Sequence, residues 1–107
     1  MKLTKAKRIF SATKSINIKD CGSLSLQNNE QISLKFKSEK NDITKKNWGF
    51  YLTNSCNKTL KKKFRTAICI GKKHKKIFVM LIHKSKITEF KKYLKKEKMS
   101  VQKWLDK

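Results

Sequence analysis

The stretch Arg65–His83, RTAICI-GKKHKK-IFVMLIH, holds two nearly continuous apolar runs separated by a glycine and a lysine-rich connection. Runs this short, rich in Ile, Val and Phe, read as strands buried on both faces and so as the centre of a sheet. The polar turn between them makes the pair antiparallel. Downstream of Ser85, a suitable N-cap, the period changes from two to that of a helix. Ile87, Phe90 and Leu94 fall at i, i+3 and i+7, while Lys91, Lys95 and Lys98 follow another face. Met99 to Leu105 then reads as a last short strand anchored by Val101, Trp104 or Leu105.

Upstream of the central pair, Trp48 to Thr53 (WGFYLT) reads as an aromatic strand with Trp48 and Phe50 on one face and Tyr51 on the other. Asn54 to Lys63 breaks it, with room for one helical turn capped by Asn54 or Ser55. Ser38 to Asn47 is polar and reads as a loop. Gln31 to Lys37 alternates, with Ile32, Leu34 and Phe36 inward, and pairs with Ser23 to Gln27 across a polar tip at Asn28-Asn29-Glu30. Ser15 to Asp20 alternates in the same way, and Cys21-Gly22 marks a bend or bulge. Residues 1–14 are basic. They place Leu3, Ala6, Ile9, Phe10 and Thr13 near one helical face, as organellar presequences do, but without their arginine richness. The expectation for them is a basic arm or a first short element. For residues 15–107 it is a single α+β domain: a mainly antiparallel sheet of about five to six strands with one C-terminal amphipathic helix packed on a face.

Charge is the outlying property. The 107 residues carry 29 Lys and Arg against 7 Asp and Glu, a net charge of +22, and all the basic residues except Arg8 and Arg65 are lysines. AT-rich codon drift inflates Lys, Asn and Ile, but it does not remove Asp and Glu. A domain of this size carries so much like charge at a cost in self-repulsion, which a polyanion relieves by giving up its condensed counterions. The partner class implied is RNA or DNA, with a ribosome or other ribonucleoprotein as the setting. An anionic polysaccharide or membrane surface is the alternative.

Candidate phosphate contacts are Lys61, Lys62, Lys63 and Arg65 at one end of the first central strand, and Lys72, Lys73, Lys75 and Lys76 at the other. Lys91 and Lys95 on the helix join them, because a merely solvated face mixes charge signs and this one does not. Trp48 and Tyr51 are candidates for stacking on unpaired bases, the alternative being core burial.

Other chemistry is hard to assemble. Cys21, Cys56 and Cys69 are odd in number and form no C-x-x-C pair, which argues against a disulfide framework or zinc knuckle and fits a reduced, cytoplasm-like compartment or an organellar matrix. His74 and His83 have no ligand-spaced partners, and no glycine-rich nucleotide loop is present. Seven scattered acids offer no catalytic pair. Neither a cofactor, a metal nor an enzymatic activity is expected; an enzyme would need Tyr51, Asn54, Ser55, Arg65 or His83 gathered in one pocket. No run reaches the 18 or so apolar residues of a membrane-spanning helix.

The pattern D-I-T-x-x-x-W-G-F-Y-x-T-x-S from Asp42, then L-K-K-K-F-R-T-A ending at Ala67, then F-V-M-L-I and a lysine-rich helix ending in W-L-D, resembles small bacterial proteins encoded among surface-polysaccharide genes. The resemblance covers roughly the last two-thirds of the chain. It implies that the functional chemistry lies around Trp48 to Arg65, and that the charge is a property of this lineage.

Overall fold

The computed structural model describes residues 1–107. In chain order the strands are β1 (Lys2–Thr13), β2 (Ile16–Ser25), β3 (Gln31–Phe36), β4 (Glu39–Lys46), β5 (Gly49–Leu52), β6 (Phe64–Gly71) and β7 (Ile77–His83), followed by helix α1 (Ile87–Lys96) and strand β8 (Met99–Trp104). Short 3-10 turns occupy Leu60–Lys62 and Lys84–Lys86. The architecture is mostly antiparallel sheet with one C-terminal helix, as expected. The single sheet of five to six strands is not found. Eight strands form three small sheets, ordered β1-β2, β3-β4-β5 and β7-β6-β8.

The physical reason is that alternating side chains specify a strand and its inward face, but not which neighbour it pairs with. The segments Ser15–Asp20 and Ser23–Gln27, expected as separate strands, are largely merged in β2, which pairs with β1 along its length. Residues 1–14, expected as an arm or short element, thus supply a 12-residue strand. The anticipated irregularity beside Cys21-Gly22 is there: the register shifts between Lys5 and Arg8, and Gly22 has φ +128°. A Cβ at Gly22 would collide with the Thr4 carbonyl oxygen, so the close approach there requires glycine.

β3 pairs with β4, not with β2. The Asn28–Glu30 tip is a closed turn instead of a hairpin loop: Glu30 N–H donates to the Gln27 carbonyl (3.0 Å), and Gln27 N–H donates to Glu30 Oε1 (2.6 Å). β4 replaces the expected loop at Ser38–Asn47. It has no apolar pattern to betray it, because its buried residues Asn41, Asp42 and Thr44 are polar. Ser33 Oγ donates to Asp42 Oδ1, the Asp42 N–H donates to Asn54 Oδ1 (2.9 Å), and Thr44 Oγ1 donates to Gln31 Oε1 (3.3 Å). Hydrogen bonds thus satisfy Asp42 and Thr44, whereas Asn41 Oδ1 is buried without a partner; none of the three leaves a hydropathy pattern.

The third sheet carries the core. β6 is its middle strand, flanked by β7 in unbroken register from Phe64↔His83 to Ile70↔Ile77, and by β8 on the other side. Ala67 and Cys69 are fully buried and cluster with Ile82, Leu94 and Met99; Met80, Ile87, Phe90, Val101 and Trp104 pack around them. The expectation that both central strands are buried on two faces holds only for β6. β7 is an edge strand, and Ile77, Phe78 and Val79 are exposed. Ser85 is not the helix cap. It forms part of the preceding 3-10 turn, where His83 Nδ1 accepts from the Ser85 N–H (3.3 Å) and lies 2.7 Å from Ser85 Oγ.

The chain divides into two compact units, one made of Met1–Ile32 and Ile43–Tyr51, the other of Ser33–Asp42 and Leu52–Lys107. No helix is long and apolar enough to cross a membrane.

Candidate nucleic-acid interface

β6 sets the geometry of the second unit's charge. Its eight residues separate two lysine-bearing ends by about 23 Å, taking about 3.3 Å per residue. At the Phe64 end, Lys61, Lys62 and Lys63 are exposed in and after a 3-10 turn whose only buried residue is Leu60. The Lys63 carbonyl accepts from the Lys84 N–H (2.9 Å), which brings Lys84 and Lys86 to the same end.

At the Gly71 end, Lys72, Lys73, Lys75 and Lys76 are all exposed in the turn to β7. The turn is wound tightly. Gly71 N–H donates to the Lys76 carbonyl (3.0 Å), Lys75 N–H to the Gly71 carbonyl (3.2 Å), and Lys76 N–H to His74 Nδ1 (2.9 Å). The His74 imidazole lies where a side chain on residue 71 would be, which accounts for glycine at that position. Lys75 adopts φ +59° to complete the reversal.

A second basic segment arrives at this end from elsewhere in the chain. The Lys72 N–H donates to the Lys98 carbonyl (3.0 Å), and Gly71 pairs with Met99. The C-terminal turn of α1, carrying Lys95 and Lys96, therefore sits beside the β6–β7 turn. Cations in the last turn also match the negative end of the helix dipole. Seven lysines (72, 73, 75, 76, 95, 96 and 98) meet one carboxylate, Glu97, in these segments. The other acids of this unit lie in other segments: Glu39 opens β4, Asp42 pairs with Lys40 (3.6 Å), Glu89 with Lys86 (3.9 Å), and Asp106 with Arg65 (2.8 Å).

Arg65, grouped by sequence with Lys61–Lys63, is committed internally. Its Nε and Nη2 both donate to the Asp106 carboxylate, and its guanidinium lies 3.7 Å from the Trp104 ring centre. That hydrogen bond, with the Arg65 and Lys61 charges behind it, holds the Asp106 carboxyl below its ordinary range against the opposing effect of burial. A guanidinium so held acts as a structural strut between β6 and the C-terminal segment.

Lys91 is exposed on α1, as are Lys92 and Lys95. Trp48 and Tyr51 belong to the other unit. They are 68 % and 43 % exposed and stack on each other, with ring centres 6.1 Å apart and planes at 30°. Trp48 precedes β5, and Gly49 at φ +143° turns it toward Tyr51, so the sharing of a face by Trp48 and Phe50 gives way to this pair.

Three of the residues that an enzyme reading needs together make the following contacts. Ser55 Oγ accepts from the Thr59 N–H (3.1 Å), Asn54 holds the Asp42 amide, and His83 packs between Phe36 and Phe64 at 5.1 and 5.2 Å. No group of three or more His, Cys, Asp or Glu side chains is placed to hold a metal ion. Lys84 and Lys86 are the cationic residues that strand-by-strand reading of the sequence left out, whereas Lys96 and Lys98 were legible only as part of the helix's lysine-rich surface. Comparison with protein-family models, curated proteins and solved structures finds no match to this chain.

Proposed function

We propose that this protein is a non-enzymatic binder of RNA, or of DNA, that grips phosphates through the Gly71 end of its helix-bearing unit. The observation that carries this reading is the Lys72–Lys98 backbone hydrogen bond, which joins two lysine-rich turns into one surface with a single carboxylate. Flexible ammonium groups converging from a turn and a helix end suit a backbone of regularly spaced charges, and they demand no particular base. The exposed Trp48–Tyr51 pair of the other unit is by itself a stacking platform for unpaired bases, and this favours single-stranded RNA over duplex DNA.

The test is the salt dependence of binding, measured by fluorescence anisotropy on a short RNA. With about six phosphates engaged, log affinity falls against log salt with a slope of about −4 on a single strand and about −5 on duplex DNA. The combined replacement Lys72→Gln, Lys73→Gln and Lys98→Gln weakens binding uniformly across sequences and flattens the slope by about 2 to 3. A shallow slope in the unaltered protein, or stronger competition by heparin or anionic vesicles than by RNA, overturns the assignment in favour of a glycan or membrane surface.

A further inference from the structure

β7 is an open edge with unusual features. Natural sheets guard their edges with inward charges, prolines, bulges or short length. The other edge of this sheet, β8, is protected in that way: its register with β6 breaks between Ile68 and Cys69, and it carries an exposed lysine at Lys103. β7 has none of these devices. Ile77–Ile82 contains no charge, no proline and no bulge, and Ile77, Phe78 and Val79 are 57 %, 45 % and 61 % exposed.

The hydrogen bonds fix which amides face outward. Gly71 N–H donates to the Lys76 carbonyl and Lys84 N–H to the Lys63 carbonyl, so these are bonded pairs of the antiparallel ladder. Bonded and non-bonded pairs alternate. Residues 78, 80 and 82 therefore bond β6, whereas Ile77, Val79 and Leu81 each direct N–H and C=O away from the sheet. The edge offers three donors and three acceptors in register, beside exposed apolar side chains on both faces. Lysines stand at its two ends: Lys75 and Lys76 before it, Lys84 and Lys86 after it.

We propose that β7 is a docking edge for an extended peptide segment of a partner protein, which adds as a strand and carries acidic residues flanking a short apolar, β-branched centre. Backbone bonds to Ile77, Val79 and Leu81 supply the pairing, the centre covers Ile77 and Val79, and the flanking carboxylates meet the lysines at each end. Charge selects this occupant over a second copy of the chain. Two copies joined antiparallel through β7 would set Lys75 and Lys76 of one against Lys84 and Lys86 of the other, with a net charge of +22 on each body.

The experiment uses the full chain and a synthetic nonapeptide with two glutamates at each end of a Val-Thr-Val-Thr-Val centre. Its expected results are saturable binding and at least tenfold slower amide exchange at Ile77, Val79 and Leu81. A peptide with lysines in place of the glutamates, or one N-methylated at alternate residues so that it cannot donate, binds at least tenfold more weakly. Val79→Pro removes an outward N–H without touching the β6 ladder, so it abolishes peptide binding while RNA affinity stays unchanged. If that variant does not fold, the N-methylated peptide decides the matter with the protein unaltered. Unprotected amides, equal binding of the N-methylated peptide, or a salt-resistant homodimer that shields β7 overturns the proposal. Loss of RNA binding with peptide binding intact overturns only the nucleic-acid reading.

Discussion

The two units of this chain are built from the same kinds of strand and are held together differently. All seven buried apolar residues, Leu60, Phe64, Ala67, Cys69, Ile82, Leu94 and Met99, lie in the unit made of Ser33–Asp42 and Leu52–Lys107. In the unit made of Met1–Ile32 and Ile43–Tyr51 the one buried residue is Thr44, although Leu3, Ile9, Phe10, Ile18 and Leu24 are 37 to 71 % exposed along its ribbon. The cored unit also carries more of the charge, with 21 basic and 5 acidic residues against 8 and 2. An alternating pattern makes a strand in both. A core forms only where a second layer covers the sheet, and α1 is that layer for β7-β6-β8. The β1–β2 pair is a two-stranded sheet with no buried residue, and such a sheet is marginal.

The largest expected effect follows from that difference. Leu94→Ala removes the helix's one buried side chain from the cluster with Ala67, Cys69, Ile82 and Met99. It should lower the stability of the cored unit by about 3 kcal/mol, read as faster amide exchange throughout β6, β7 and α1. The equivalent truncation of a ribbon residue, Leu24→Ala, should cost less than about 1 kcal/mol. Equal costs would show that the ribbon has a core of its own, and the contrast between the units would be lost.

How much of this was legible in the sequence depended on whether burial was apolar. β6, α1 and β8 announced themselves because their hydrophobic period, glycine punctuation and length agreed. β4 did not, since its buried residues are polar: Asp42 and Thr44 hydrogen-bond to Ser33 and Gln31, and Asn41 Oδ1 is buried without a partner. The division into three sheets was equally hidden, because nothing in Ser23–Gln27 says that its partner is β1 and not β3. At the candidate site, the lysine turn at 72–76 was plain from composition. Its junction with Lys98 is a tertiary fact, as is the withdrawal of Arg65 by an aspartate 41 residues away.

That aspartate gives the next prediction in size. Asp106 is held in its charged form by Arg65, so its folded pKa lies below the ordinary value of 3.8. A depressed carboxylate stabilises the fold fully above the unfolded pKa, and the contribution is lost as pH falls through the folded value. Stability should therefore decline from about pH 4 downward. Asp106→Asn should cost about 2 kcal/mol at neutral pH and reduce that acid-induced decline, as followed by denaturant melts across pH. An unchanged acid limb would assign the loss to other carboxylates, of which Asp42, also depressed, chiefly by its hydrogen bond from Ser33, is the first.

In the other unit, Gly22→Ala forces a side chain against the Thr4 carbonyl oxygen at a positive φ. Strain of about 1 to 2 kcal/mol is expected, confined to the amides of β1 and β2. Exchange rates in α1 should not change, and a matching loss there would mean that the ribbon supports the core.

The smallest effect tests whether anything beyond the backbone ladder holds the ribbon. Arg8 lies 4.6 Å from the Phe10 ring centre and 3.5 Å from Asp20 Oδ2, with 66 % of its side chain exposed. Both contacts are screened at that exposure, so Arg8→Ala should cost at most about 1 kcal/mol at low ionic strength and almost nothing in molar salt. The measurement is amide exchange in β1 and β2 at the two salt concentrations. A cost above about 2 kcal/mol that persists in salt exceeds what exposed charge contacts supply. It would mean that the aliphatic stem of Arg8 packs with Phe10 and Ile18 as an apolar cluster, which would make the ribbon's order a matter of side-chain packing, as it is in the unit that has a core.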